Sequence, residues 1–132
     1  MKPAVFRRWR EDIRAEETRL DAGGIVIDVL AASIPTSVGV AGRVTVDSSP
    51  QLRSVLLGLL RRGTDPAVII DMSAVSYLDM SGIATLLEAL KAARESSVKL
   101  RVVGISGEAR TLAEIVQLDT VFRSWGSEVE FR

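Results

Sequence analysis

Between Ala67 and Ile105 the chain reads AVIID, then SGIATLLEAL, then VKLRVVGI, and this order constrains the fold more than anything else in it. A short apolar run ending in an acid predicts a strand buried on both faces. Ile83, Leu86, Leu87 and Leu90 recur at the i, i+3, i+4, i+7 spacing of a helix lying on a core. A strand, a helix and a second strand in succession favour parallel pairing through a right-handed crossover. The chain therefore belongs to the α/β class.

The flanking sequence extends that unit on both sides. Residues 1–22 hold FRRWREDIRAEETRL, densely charged, with Phe6, Trp9, Ile13 and Leu20 at roughly helical spacing, and are expected to form an amphipathic helical extension. Gly23-Gly24 breaks the pattern, and a domain is expected over 23–132. GIVIDVLAAS and SVGVAGRVTV read as two strands of an antiparallel hairpin, with Gly39 and Gly42 marking an irregularity. In SPQLRSVLLGLLRRG, Ser49 is placed as the N-cap, Pro50 as the first helical residue and Gly63 as the stop. A loop from Met72 to Met80 is expected to carry Ser73, Ser76 and Tyr77 to a helix starting near Ser81. EARTLAEIVQL predicts a third helix with Leu112, Ile115 and Val116 inward, and VEF at 129–131 a final edge strand.

Composition removes most catalytic readings. The chain has no histidine and no cysteine, which eliminates Ser-His and Cys-His engines, thiol nucleophiles and zinc-thiolate sites. No metal or other cofactor is expected. Lys plus Arg and Asp plus Glu both number 17, and without a basic excess nucleic acid is disfavoured as a partner. The mostly apolar stretch Gly23–Gly42 contains Asp28, Pro35 and three hydroxyl residues, which suits two strands better than a membrane helix. Arg7, Arg8 and Arg10 are followed by Glu11 and Asp12 rather than by an apolar run, so a cytoplasmic protein without membrane insertion is expected. The serine elbow G-x-S-x-G, the P-loop and the dinucleotide fingerprint are all missing. A receiver domain would match Asp71 but lacks its acidic pair and its late lysine. An enzyme is not expected.

What remains is YLDMSGIATLL, where Asp79, Ser81 and Gly82 precede the apolar stripe. Asp79 or Ser81 can simply cap the helix, which by spacing alone is the more common outcome. Ser81 can also accept a phosphate, because a helix N-terminus offers unpaired N–H groups and the positive end of its dipole.

The stretch VIIDMSAVSYLDMSGIATLLEAL, with GRVTV and SPQLRSVL before it and VKLRVVGISGEARTLAEIVQLDTVF after it, resembles the STAS domain of sulfate transporters and anti-sigma factor antagonists. The resemblance covers about residues 24–131. It implies a mixed sheet of four or five strands with helices packed mainly on one face. It also implies an anti-sigma factor antagonist that binds an anti-sigma factor with serine kinase activity and is switched off by phosphorylation at Ser81, which matches the serine before the signature glycine. A PP2C-like phosphatase is the implied reversing enzyme, and a second copy of the chain is a further candidate partner. The expected contact residues are Thr45, Asp47, Tyr77, Asp79, Met80, Gly82 and Ile83. Two positions depart from the family pattern: Met80 replaces a common second hydroxyl, and Thr45 stands where many members carry an acid. The alternative is a STAS module that is never phosphorylated, serving as a scaffold in a stress complex or as the soluble subunit of a membrane lipid transporter.

Overall fold

The computed structural model describes residues 18–22, 24–30, 35–63 and 65–132. Six strands form one sheet in sequence order: β1 (Thr18–Ala22), β2 (Ile25–Leu30), β3 (Thr36–Val44), β4 (Ala67–Leu78), β5 (Lys99–Ile105) and β6 (Glu128–Phe131). The first three pair antiparallel, and β3 to β6 pair parallel. Helix α1 (Ser49–Arg62) joins β3 to β4, α2 (Met80–Glu95) joins β4 to β5, and α3 (Gly107–Ile115) with α4 (Leu118–Ser124) joins β5 to β6. Parallel neighbours linked in sequence order by crossovers of one hand carry their helices on the same face. The mixed α/β architecture is the expected one.

Alternation along each strand builds the core beneath those helices. Ile25, Ile27 and Val29 of β2, Val38 and Val40 of β3, Val68, Ile70 and Met72 of β4, and Leu100 and Val102 of β5 are buried together. Leu52, Leu56 and Leu60 of α1, Ile83, Leu86 and Leu90 of α2, and Phe122 of α4 close over them. At about 25 cal/mol per Å² of apolar area removed from water, each such side chain contributes roughly 1.5–3 kcal/mol.

Several elements differ from the sequence reading. The sheet has six strands rather than four or five, because Thr18–Ala22 pairs with β2 from Thr18↔Val29 to Ala22↔Ile25. Residues 18–22 of the expected N-terminal helix are thus a strand; its Phe6, Trp9 and Ile13 lie outside the described residues. Strand β4 does not stop at Asp71 but runs on to Leu78, so the expected loop 72–80 is mostly strand. Its burial alternates, so one face is buried and the other only partly covered, not both buried. Register shifts in β3 at Gly39/Ala41 and Gly42/Arg43, where the glycines predict an irregularity, let the two strands stay paired to Val44↔Leu78. On α2, Leu87 faces outward at 37% exposure. On α3 the buried residues are Ala109 and Ala113, Leu112 is partly buried, and Ile115 is 72% exposed. Gln117, at φ 56, ends that segment and starts the unforeseen α4.

Candidate functional site

The pairing of Val44 with Leu78 determines where the site lies. Both strands end there, and the Asp79 N–H donates to the Val44 carbonyl at 3.1 Å. The turns that follow, 45–48 before α1 and Asp79 before α2, therefore emerge side by side at the carboxyl ends of two parallel strands. In α/β sheets this is where functional groups gather.

Asp79 is the N-cap of α2. Its Oδ1 accepts from the Ser81 N–H at 2.9 Å, the Gly82 N–H at 3.3 Å and the Ser81 hydroxyl at 2.5 Å. The hydrogen bond from the Ser81 side chain is the main cause of its lowered pKa, opposed by desolvation and aided by the N–H groups of Gly82, Ser81 and Val46. The carboxylate is accordingly ionised at neutral pH. The half-buried Ser81 hydroxyl also lies 2.8 Å from the Ser49 hydroxyl at the start of α1. Ser49 Oγ also lies 2.6 Å from the Thr45 carbonyl, to which its single rotatable proton can donate in place of Ser81.

The turn after β3 is closed by its own side chains. Ser48 Oγ accepts from the Thr45 N–H at 2.9 Å and donates to the Arg43 carbonyl at 2.7 Å. Ser48, not Ser49, stands at the N-cap of α1, yet its side chain makes no cap bond there because the turn engages it. Thr45 Oγ1 accepts from the Asp47 N–H at 3.2 Å, and Asp47 is exposed.

The sequence-predicted residues thus divide. Thr45, Asp79, Met80, Ser81 and Gly82 come together, with Asp47 at the rim. Met80 is 54% exposed beside Ser81. Gly82 is buried: a Cβ there would lie 2.2 Å from Leu78 Cδ1 and 2.9 Å from Val44 Cγ1, so glycine lets α2 start close against the strand ends. Ile83, at 1% exposure, is part of the core and lies under the surface rather than on it. Tyr77 is in β4, not in a loop, paired with Arg43, whose guanidinium sits 4.4 Å from the ring centroid. Because Leu78 enters the core, Tyr77 next to it projects to the other side of the strand.

Two site residues escape the sequence reading. Ser49 reads there only as a cap, and Val46, 70% exposed with its N–H toward Asp79, carries no signal of its own. No local pattern reveals the Ser49–Ser81 contact, since the two lie 32 residues apart. Among the described residues no group of histidine, cysteine or acidic side chains could hold a metal, and no helix is long and apolar enough to cross a membrane.

The STAS domain family model matches residues 22–130. An anti-sigma-B factor antagonist of Staphylococcus epidermidis is 32% identical over 94 residues, covering 70% of this chain and 86% of that relative. This chain is a STAS domain protein of the anti-sigma factor antagonist family. A Staphylococcus aureus anti-sigma-B factor antagonist matches this STAS domain protein to the same extent, 32% over 94 residues, 70% of this chain and 86% of that one. Among solved structures, an anti-sigma factor antagonist from Mycobacterium paratuberculosis superposes with a TM-score of 0.67 at 24% identity, over 77% of this chain and 86% of that one. The phosphorylated form of the Bacillus protein SpoIIAA gives a TM-score of 0.59 at 12% identity, over 78% of this chain and 89% of that one. At those identities the two structures speak for the fold.

Proposed function

We propose that this STAS domain is an anti-sigma factor antagonist that binds an anti-sigma factor with serine kinase activity and is released when Ser81 is phosphorylated. The observation that carries the reading is the setting of Ser81: a hydroxyl in the first turn of α2, held by the ionised Asp79 and flanked by the exposed apolar side chains of Met80 and Val46. The names of the staphylococcal relatives support the partner class.

Unmodified, this end of the molecule offers Val46, Met80 and the rim residue Asp47 as a contact surface. Modification exchanges the Ser81 hydroxyl proton for the γ-phosphoryl group of ATP, leaving ADP and passing the proton to a base of the kinase. The phosphate brings about −1.5 to −2 charges at pH 7. It arrives beside a carboxylate that already occupies the helix N–H groups, so the two anions compete for the same donors. Covering that charge with a partner costs at least about 2.7 kcal/mol, since each 1.4 kcal/mol is tenfold in affinity and a hundredfold loss is expected. The chain is the substrate and needs no catalytic group of its own. A cytoplasmic setting and reversal by a PP2C-like phosphatase belong to the same proposal.

The test is incubation with the anti-sigma factor and ATP, followed by mass spectrometry of the peptide holding Ser81. A phosphate on Ser81, absent from Ser81→Ala, is the expected result. No phosphate there with an anti-sigma factor that binds the domain would leave a docking module with a constant face, as in a scaffold or a transporter subunit.

A further inference from the structure

We propose that Ser49 is a positioning residue of the Ser81 switch, whose hydroxyl first orients Ser81 Oγ and then donates to the phosphate attached there. The proposal rests on Ser81 being the modified residue.

Four oxygens stand in a line: the Thr45 carbonyl, Ser49 Oγ, Ser81 Oγ and Asp79 Oδ1, separated by 2.6, 2.8 and 2.5 Å. The end oxygens only accept, and each hydroxyl has one proton, so two protons serve three contacts. One contact in the line is always without a proton. Thr45 is the end that can spare one. Its carbonyl also accepts the Ser49 N–H at 2.7 Å and the Ser48 N–H at 3.0 Å, so it stays satisfied when the Ser49 hydroxyl turns away. Asp79 draws the Ser81 proton, and the Ser49 proton is then free to point at Ser81 Oγ, whose lone pair it fixes.

Phosphorylation sharpens the count. Ser81 loses its proton and gains acceptor oxygens, while the Asp79 carboxylate can offer that phosphate only repulsion. Ser49 is the hydroxyl already in contact with Ser81 Oγ, and it carries a proton it can redirect without leaving Thr45 unpaired. A charge-assisted bond from Ser49 to the phosphate would then tie the start of α1 to the modified start of α2. Ser49 itself is 6% exposed, which places it behind Ser81 rather than as a rival acceptor.

The measurement is the second ionisation of the phosphate, followed by ³¹P NMR in full-length protein with phosphoserine installed at position 81 during translation. No kinase is involved, so this result is independent of whether one acts on Ser81. A donor to the dianion holds its pKa down. Ser49→Ala should therefore raise it by about half a unit from the parent, and Ser49→Thr, which keeps the hydroxyl, should restore the parent value. Circular dichroism and thermal melting of each variant confirm that it is folded. An unchanged pKa in folded Ser49→Ala would overturn the proposal. So would a rise that Ser49→Thr fails to reverse, because the effect would then belong to packing and not to the hydroxyl.

Discussion

Two helices of this molecule follow the carboxyl ends of neighbouring parallel strands, and each starts beside a serine and a glycine. At α2 the order is Asp79-Met80-Ser81-Gly82; at α3 it is Ser106-Gly107-Glu108. The first start is crowded. Asp79 caps it with three hydrogen bonds, Ser49 approaches from α1, and Gly82 packs on Leu78 and Val44. The second is open: Ser106 makes no side-chain cap bond, and a Cβ on Gly107 would meet nothing within 4 Å. A serine at a helix start is thus not by itself a switch. What separates Ser81 from Ser106 is a carboxylate that caps the helix and accepts from the serine hydroxyl, together with a second helix start within hydrogen-bond reach.

That contrast can be broken by placing the same change at both starts. The largest difference is expected in binding. Ser81→Asp should weaken association with the anti-sigma factor by about a hundredfold, near 2.7 kcal/mol, whereas Ser106→Asp should stay within about twofold of the parent, as read by titration calorimetry. Next comes stability. Gly82→Ala forces a methyl group against Leu78 and Val44 and should cost about 1–3 kcal/mol in urea denaturation. Gly107→Ala has room, but its φ of 62 disfavours a side chain, for a cost of about 1 kcal/mol.

Asp79→Ala removes a working cap and should cost about 1 kcal/mol, while Ser106→Ala should change stability by no more than a few tenths. The smallest effect is in pH. Asp79 has its folded-state pKa lowered, chiefly by the Ser81 hydroxyl, so its charge stabilises the fold above the ordinary carboxylate value of about 4. That contribution fades as pH falls from about 4 through the lowered value. Asp79→Asn keeps an acceptor without the charge, so its stability deficit against the parent should vanish in acid. A deficit that persisted unchanged below that range would show the charge to be irrelevant.

The same contrast shows what the sequence could disclose. The Ser81 helix start was legible because its signals are local: an acid, a serine, a glycine and an apolar stripe within a few turns. The β2–β3 hairpin and the parallel β4–β5 unit were legible for the same reason. The far half of β4 was hidden because Ser73, Ser76 and Tyr77 look like loop residues, yet register shifts in β3 keep them in the sheet. The β1 strand was hidden in a charged segment whose pairing with β2 supplies the order that its own pattern lacks. The Ile115 assignment failed because the helix stops at Ile115 and buries its small residues Ala109 and Ala113, which leaves Ile115 itself 72% exposed. Ser49 was visible as a residue but not as a neighbour of Ser81, since only the Val44↔Leu78 pairing brings the two turns together.

The most direct test compares the affinity of the anti-sigma factor for the unmodified domain and for the domain carrying phosphoserine at 81, measured by titration calorimetry under identical salt. The expected result is that the phosphate weakens binding at least about a hundredfold while the domain stays folded. Equal dissociation constants for the two forms would contradict it.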